Sequence, residues 1–273
     1  MSRAELAAAA ELIADAEALL ICAGAGFGVD SGLPDFRGDH GFWRAYPPYE
    51  RLGLRFAEVA DPVHFAEDPE LAWGFYGHRL AMYRRTVPHE GFAILRRWAA
   101  GMPAGSRVFT SNVDGQFQAA GFERVAECHG SIHHLQCLEP CTDDVWPADG
   151  VSVEVDTETM RAERPLPECR RCGAVARPNI LMFGDFSWVP DRAQPALDEL
   201  QAWRRSLRAA RLVVVEVGAG TAVPTVRRHA ELAGAGSGAL IRINPREPEV
   251  RHGHGISLPM GALDALREID ALL

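Results

Sequence analysis

The chain has 273 residues, a hydrophobic fraction of 47% and a formal net charge of −9. This length suits one α/β domain with a smaller insertion, and the composition is that of a globular protein with a sizeable core. The negative charge argues against a general nucleic-acid-binding protein, because such proteins carry a basic surface. No apolar run approaches the roughly 20 residues that a membrane-spanning helix requires.

The first 20 residues are rich in alanine, as a signal peptide can be, but acidic residues interrupt them at Glu5, Glu11, Asp15 and Glu17. The apolar residues recur at helical spacing, so this stretch predicts an amphipathic first helix. We therefore expect a cytoplasmic protein with no membrane partner. The sequence leaves the oligomeric state open.

A short apolar run, ALLICA at residues 18–23, predicts a buried parallel strand. The segment GAGFGVDSGLPDFRG follows directly, and its first glycines would let the backbone approach a phosphate at the start of a helix. A tight turn without a ligand would show the same glycines. The adjacent residues Asp35, Phe36 and Arg37 favour a ligand site, because this combination in one loop is unusual for packing alone.

Further elements alternate as an open parallel sheet requires. The predicted elements are a strand in SRVFTSN, a helix at about 194–210, a strand in RLVVVEVGAG, a helix at 225–232 and a strand in GALIRINP. Polar residues and glycines follow these strands at Asn112, Asp114, Gly218, Gly220 and Asn244. Ligands of such sheets bind beyond the carboxyl ends of the strands, so these residues predict a dinucleotide site.

The chain resembles the sirtuin family over nearly its whole length. The segments that carry the resemblance are GAGFGVDSGLPDFRG, TSNVDGQFQAAG, CHGS, RPNILMFGD and the pair Ile243-Asn244. Sirtuins transfer an acyl group from lysine to the ADP-ribose of NAD and release nicotinamide. The resemblance thus implies an NAD-dependent protein-lysine deacylase that acts on an acylated protein or peptide and yields O-acyl-ADP-ribose.

The resemblance also assigns roles to residues. His129 would be the general base toward a ribose hydroxyl, Asn112 and Asp114 would line the nicotinamide pocket, and Phe36 would exclude water. For His133 and His134 a structural role is the better interpretation. The complete set expected to bind the cofactor is Gly24, Ala25, Gly26, Asp35, Phe36, Arg37, Ser111, Asn112, Asp114, Gly218, Ala219, Gly220 and Asn244.

Three positions differ from the family pattern. Ser111 stands in place of glutamine, Gln116-Phe117 in place of Leu-His, and Ala219-Gly220 in place of Thr-Ser. Two of these differences touch the cofactor pocket. Two alternatives therefore stay open beside the deacylase: an ADP-ribosyltransferase or NAD hydrolase, and a non-catalytic sensor of NAD or ADP-ribose.

Four of the six cysteines form two pairs, Cys137 with Cys141 and Cys169 with Cys172. Spacings of three and two residues lie within the range of tetrahedral zinc sites, so the pairs predict one structural zinc ion with four thiolate ligands. Two unrelated pairs of buried thiols are the alternative.

Residues 39–100 predict a long stretch without strands, with a helix at 70–85 that begins after Asp68-Pro69. Tyr76 and Arg79 share a face of this helix. Sirtuins that remove succinyl, malonyl and glutaryl groups carry the same YxxR pattern, which implies that these residues bind an acidic acyl group. An arginine on a solvated face and a tyrosine in the core is the alternative. Phe183 and Gly184, in the RPNILMFGD segment, are further candidates for binding the substrate.

We thus expect an α/β fold: a doubly wound, parallel-sheet (Rossmann-like) NAD-binding domain with a smaller helical and zinc-binding domain. The NAD-binding domain would comprise residues 1–38, 101–134 and 177–273. The smaller domain would comprise the helical insertion at 39–100 and the zinc module at 135–176.

Overall fold

The computed structural model describes residues 3–34, 38–207, 210–237, 239–250 and 255–273. Its strands are β1 (Ala18–Ala23), β2 (Ser106–Thr110), β3 (Val125–Glu127), β4 (Gly130–Cys137), β5 (Trp146–Pro147), β6 (Val155–Asp156), β7 (Arg161–Ala162), β8 (Ala176–Ile180), β9 (Leu212–Val217), β10 (Leu240–Ile243) and β11 (Gly255–Leu258).

Its α-helices are α1 (Arg3–Ala14), α2 (Gly38–Ala45), α3 (Pro47–Arg51), α4 (Phe56–Val59), α5 (Val63–Glu67), α6 (Pro69–Arg85), α7 (Glu90–Ala100), α8 (Gln116–Ala119), α9 (Gln194–Ser206), α10 (Thr225–Ser237) and α11 (Ala262–Asp270). A 3-10 helix, Ala25–Ser31, follows β1. Within the described residues, no helix is both long and apolar enough to span a membrane.

The large sheet has six parallel strands in the order β11-β10-β9-β1-β2-β3. Counted along the chain, this is the doubly wound order in which the chain reverses its direction of progress across the sheet between two central strands, here β1 and β9. A crevice opens beyond the carboxyl ends of the strands at such a point. The predicted α/β, Rossmann-like fold is therefore confirmed.

Both faces of the sheet are covered, which explains why the central strands are buried along their whole length and are apolar apart from Glu216 in β9. Successive residues of a strand point to opposite faces. Leu19 and Ile21 accordingly join the core formed with α1, α7 and α11, whereas Leu20 and Cys22 join the core formed with α9 and α10.

The strands predicted at 18–23 and within SRVFTSN, RLVVVEVGAG and GALIRINP are all present. The helix predicted to 210 ends at Ser206, and the helix predicted to 232 continues to Ser237. The helix expected at 70–85 begins at Pro69, and the Asp68 carboxylate caps it by accepting a hydrogen bond from the Leu71 amide. The other two parallel strands, β3 and β11, were not predicted.

A separate core lies in the smaller part of the molecule, where α2 to α6 pack against an antiparallel sheet in the order β5-β4-β8. The Trp73 indole donates a hydrogen bond to the Ala176 carbonyl at 2.9 Å and so fixes α6 on β8. The domain boundaries stay a prediction. We propose that α7 belongs with the large sheet, because Phe92, Leu95 and Trp98 lie in the core of that sheet.

Candidate functional site

The turn after β1 packs backbone to backbone against the turn after β9. The Gly24 and Gly26 amides donate hydrogen bonds to the Val217 and Gly218 carbonyls, each at 3.0 Å. A Cβ at Gly24 would lie 2.7 Å from the Cα of Ala219, and a Cβ at Gly218, where φ is +64°, would lie 2.2 Å from the Phe27 nitrogen. This close approach requires both glycines, whether or not a phosphate binds. Ala25 is exposed and Gly26 is half-buried, so they form the accessible part of the turn.

The turn after β2 is tied to the turn after β1 through Asn112. Its side-chain amide donates a hydrogen bond to the Gly24 carbonyl at 3.1 Å, and its backbone amide donates to the Thr110 hydroxyl at 3.0 Å. That hydroxyl donates in turn to the Ala23 carbonyl at 2.9 Å. Ser111 and Asn112 are both half-buried. Asn112 therefore lies at the crevice, and its Nδ2 already donates a hydrogen bond to the protein backbone.

Asp114 is a buried carboxyl group, only 8% exposed. Burial raises the pKa of Asp114 to about 6, and the negative charge of Glu127 also raises it. The Gln116 amide, which donates a hydrogen bond to the carboxylate at 2.9 Å, and the Arg79 guanidinium both lower this pKa. His133 donates from Nε2 to the Asp114 carbonyl at 2.9 Å, so this histidine has the structural role expected of it. The loop thus holds a titratable carboxyl group at the end of β2.

His129 lies between β3 and β4 and is half-buried. Burial lowers its pKa below the ordinary histidine value, so the imidazole is neutral near pH 7 and able to accept a proton. The following residue has to be glycine: Gly130 has φ +77°, and a Cβ there would lie 2.0 Å from the Asn179 carbonyl oxygen. The His-Gly pair therefore combines a neutral imidazole with the close contact that fixes its backbone.

On the other half of the sheet, the Asn244 side chain is fully buried and engaged by the protein itself. Its Nδ2 donates to the Ala219 carbonyl at 2.8 Å, and its Oδ1 accepts from the Arg246 and Glu247 amides, each at 3.0 Å. A contact of Asn244 with a ribose stays a prediction. Glu247, in the same loop, accepts hydrogen bonds from the Thr221 amide and hydroxyl, a contact that the sequence did not predict.

Tyr76 and Arg79 are both buried in α6. Arg79 donates from Nε and Nη2 to the Tyr83 hydroxyl at 3.0 and 2.6 Å, and its guanidinium lies over the Phe75 ring, 5.0 Å from the centroid. An arginine on a solvated helix face is therefore the wrong interpretation. Tyr83 was missed, although its position four residues after Arg79 places both on one face of the helix.

Phe183 and Gly184, which are predicted to bind the substrate, follow β8. Phe183 is 41% exposed, its amide donates to the Ala60 carbonyl at 3.0 Å, and Gly184 adopts φ +64° beside it. These residues form an accessible loop after β8. Asp35, Phe36 and Arg37 lie outside the described residues.

The four paired cysteines converge at the end of β4. Their sulfur atoms all lie within 4.8 Å of one another, with Cys137 to Cys172 at 3.6 Å and Cys141 to Cys169 at 3.7 Å, and none forms a disulfide. Sulfur atoms that coordinate one tetrahedral zinc ion at about 2.3 Å lie about 3.8 Å apart. The cluster is therefore compatible with a structural zinc ion, and two unrelated thiol pairs are excluded by the distances.

Comparison with known proteins agrees with this geometry. The profile described as "Sir2 family" matches residues 24–215. NAD-dependent protein deacylase 1 of Archaeoglobus fulgidus is 32% identical over 238 residues, which cover 86% of this chain and 84% of the relative. NAD-dependent protein deacylase 1 of Pseudomonas aeruginosa is 32% identical over 251 residues, 90% of each chain. The crystal structure of a Sir2 homologue in complex with NAD matches with a TM-score of 0.73 and 29% identity, covering 97% of this chain and 94% of its own.

Proposed function

We propose, from the premise that this chain belongs to the Sir2 family, that it is an NAD-dependent protein-lysine deacylase. The observation that carries the proposal is the grouping of Asn112, Asp114 and His129 after the adjacent strands β2 and β3, at the carboxyl edge of a doubly wound sheet. This edge is where such sheets bind dinucleotides. The NAD-dependent activity of the named relatives and the NAD complex of the Sir2 homologue support it.

In this proposal the ADP-ribose part of NAD would accept the acyl group. Nicotinamide would be released from NAD as the leaving group. Asn112 and Asp114 hold the nicotinamide end, and the turn at residues 24–26 faces the phosphates together with Gly218, Ala219 and Gly220. His129 accepts a proton at an imidazole nitrogen from a ribose hydroxyl, for which its neutral form suits it. Asp35, Phe36, Arg37 and Ser111 complete the proposed cofactor contacts.

The acyl-lysine substrate is proposed to lie between α6 and the loop after β8. Phe183 is accessible there and packs edge to face on Phe56 at 6.0 Å. The buried Arg79 guanidinium, next to the Tyr76 ring, is a suitable partner for a carboxylate at the far end of a succinyl or malonyl group. The proposed substrate is therefore an acyl-lysine protein or peptide, with acidic acyl groups tolerated beside acetyl.

The cysteine cluster is proposed to bind a structural zinc ion. Four thiolates fill a tetrahedral coordination sphere, so no position is left for a substrate or a catalytic water. Its role would be to hold the end of β4 at Cys137 to the segment that leads into β8, where Cys169 and Cys172 lie.

Nicotinamide release, measured with and without an acylated lysine peptide, tests the proposal. A deacylase releases nicotinamide only when the peptide is present and converts the peptide at the same rate. Release that is independent of peptide identifies an NAD hydrolase or ADP-ribosyltransferase instead. Binding of NAD without any release identifies a sensor. The Ala219-Gly220 and Ser111 differences are the observations that keep these alternatives in the test.

A further inference from the structure

His89 joins the start of α7 to the 3-10 helix that follows β1. Its Nδ1 accepts a hydrogen bond from the Gly91 amide at 3.0 Å, and its Nε2 lies 3.0 Å from the carbonyl oxygen of Phe27. The His89 amide donates to the Ser31 hydroxyl at 3.0 Å. Phe27 and Ser31 lie in the first and last turns of the 3-10 helix. One residue therefore fixes this helix near both of its ends and caps α7 as well.

These contacts require one protonation state of the imidazole. A nitrogen that accepts from an amide carries no proton, so the single proton of the neutral ring lies on Nε2, which donates to the Phe27 carbonyl. A protonated imidazole has an N–H group on both nitrogens, and the one on Nδ1 would face the Gly91 N–H. The two groups are already in close contact, since a Cβ at Gly91 would lie 2.5 Å from the His89 Cε1. Protonation of His89 therefore breaks the bond to Gly91 and displaces the ring.

Phe27 connects His89 to the turn at residues 24–26, which we call the cofactor turn. The Phe27 amide donates to the Gly24 carbonyl at 3.0 Å, and the same carbonyl accepts from the Asn112 side chain at 3.1 Å. The Phe27 side chain is fully buried, and its ring packs edge to face on the His89 imidazole, with the two centroids 4.8 Å apart. A movement of Phe27 away from α7 would therefore move the cofactor turn, which begins at Gly24.

We propose that His89 is a positioning residue for NAD: its neutral imidazole holds the cofactor turn in the geometry that binds NAD, and protonation of the imidazole releases the turn. The inference rests on the proposed function, which places the phosphates of NAD at this turn. A protein whose binding-competent conformation is only partly populated binds its ligand more weakly by that fraction. Loss of the His89 contacts should therefore raise the dissociation constant of NAD, although His89 is not among the proposed cofactor contacts.

The surroundings of His89 set the pH range of this effect. Burial lowers the pKa of His89, and the positive charge of Arg267 in α11 lowers it further. The hydrogen bond to the Phe27 carbonyl and the negative charge of Asp30 raise this pKa, and Glu90 beside His89 pairs with Arg267 at 2.6 Å. The net shift is downward, so the imidazole is neutral above the ordinary histidine pKa of about 6.5. The His89 contacts are therefore complete above that pH and are lost as the pH falls through the lowered pKa of the folded protein.

The test is calorimetric titration of the whole chain with NAD, together with urea unfolding, at about pH 7.5. His89→Phe keeps a ring against Phe27 and removes both hydrogen bonds of the imidazole, so we expect the dissociation constant of NAD to rise about tenfold. His89→Asn keeps an acceptor for the Gly91 amide, because asparagine is a good N-cap residue, but it loses the atom that reaches Phe27. It should therefore bind NAD as weakly as His89→Phe. Asp68→Ala is the matched control: it removes the side-chain cap of α6 and should lower the free energy of unfolding without changing NAD binding.

A pH series separates positioning from a structural role alone. As the pH is lowered below about 6.5, the wild type should lose the contacts that His89→Asn already lacks, so the ratio of the variant's dissociation constant to that of the wild type should fall toward one. Asp114 and His129 titrate in both proteins and cancel in this ratio. A ratio that stays constant down to about pH 5, or wild-type affinity in either His89 variant, would overturn the inference and leave the proposed function intact. A wild-type chain that does not bind NAD overturns both.

Discussion

The side-chain amide of Asn112 donates a hydrogen bond to the Gly24 carbonyl at 3.1 Å, and thereby joins the turns that follow the neighbouring strands β2 and β1. Part of the reason for a polar residue at this strand end is therefore structural. The Asn112 side chain holds the two walls of the crevice together, and its accessible part faces the crevice where the dinucleotide is proposed to bind.

Asn112→Ala should consequently have two effects. We expect nicotinamide release to be severely reduced, because the residue positions the leaving group, and the free energy of unfolding to fall by about 1 kcal/mol, because a hydrogen bond is lost. Nicotinamide assays and urea unfolding measure the two effects separately. A variant that cleaves NAD normally would place the pocket elsewhere and leave Asn112 a structural role alone.

Asp114→Asn should lose activity and gain stability. Burial raises the folded-state pKa to about 6, above the ordinary aspartate value, so the folded wild type binds an extra proton between roughly pH 4 and 6. Its free energy of unfolding therefore decreases as the pH rises through this window. The neutral amide of Asp114→Asn does not titrate, so the variant does not lose this free energy of unfolding. A pKa shift of about two units corresponds to a gain of at most about 3 kcal/mol in the free energy of unfolding at pH 7.

Urea unfolding of the wild type and Asp114→Asn across that range checks the sign. The difference in unfolding free energy should be small below about pH 4 and reach its maximum above about pH 6. A difference that does not vary with pH would show that the Asp114 carboxyl group does not titrate as its burial implies.

His129→Ala should abolish deacylation while NAD binding stays nearly intact, because the imidazole acts after the cofactor has bound. Removal of a general base lowers the rate by roughly 10²- to 10⁴-fold. His64→Ala is a suitable control, since that histidine lies in α5 and bonds to the Glu58 carbonyl. Near-normal turnover of His129→Ala would contradict its role as the base.

The purified protein should contain about one zinc ion per chain, because four thiolates form one closed site. Cys172→Ser should lose the metal and, with it, the folded smaller domain, since the binding energy of a structural zinc is folding energy. Cys128→Ser should keep the metal, because Cys128 lies outside the cluster. Elemental analysis and circular dichroism provide the measurements; a metal-free protein that is folded and active would refute the prediction.

Arg79→Met should selectively raise KM for succinyl- and malonyl-lysine peptides. A hydrogen bond to a charged group contributes about 1.5–3 kcal/mol, or roughly a ten- to hundredfold change in KM. Acetyl-lysine turnover should change little, because the acetyl group is too short to reach the guanidinium. Arg85→Met, an exposed arginine at the end of the same helix, is the control.

Arg79 also lowers the pKa of Asp114, so its removal raises that pKa. Kinetics at about pH 8 keep Asp114 ionised in both proteins and separate the two effects. Equal loss of acetyl and succinyl turnover would assign Arg79 a folding role. If the wild-type enzyme does not turn over succinyl- or malonyl-lysine peptides, the acyl-selectivity proposal is wrong, but the deacylase proposal is unaffected.

The sequence by itself determined the central strands, the helix that begins at Pro69 and the ligand set of the metal site. Strands that are buried on both faces are continuous apolar runs, and paired thiols at short spacing leave few other interpretations. These features depend on residues close together in the chain. The sequence also shows the glycines after β1, but it does not show that Gly24 contacts Ala219 and Gly218.

Only the tertiary structure decided which polar groups meet. The order of the strands places Gly24 beside Gly218 and Asn112 beside Gly24, although 88 residues separate the last pair. The same folding buries Arg79 against Tyr83 and commits the Asn244 amide to Ala219. Local pattern carries no information on such contacts, because they depend on how distant loops converge once the sheet is assembled.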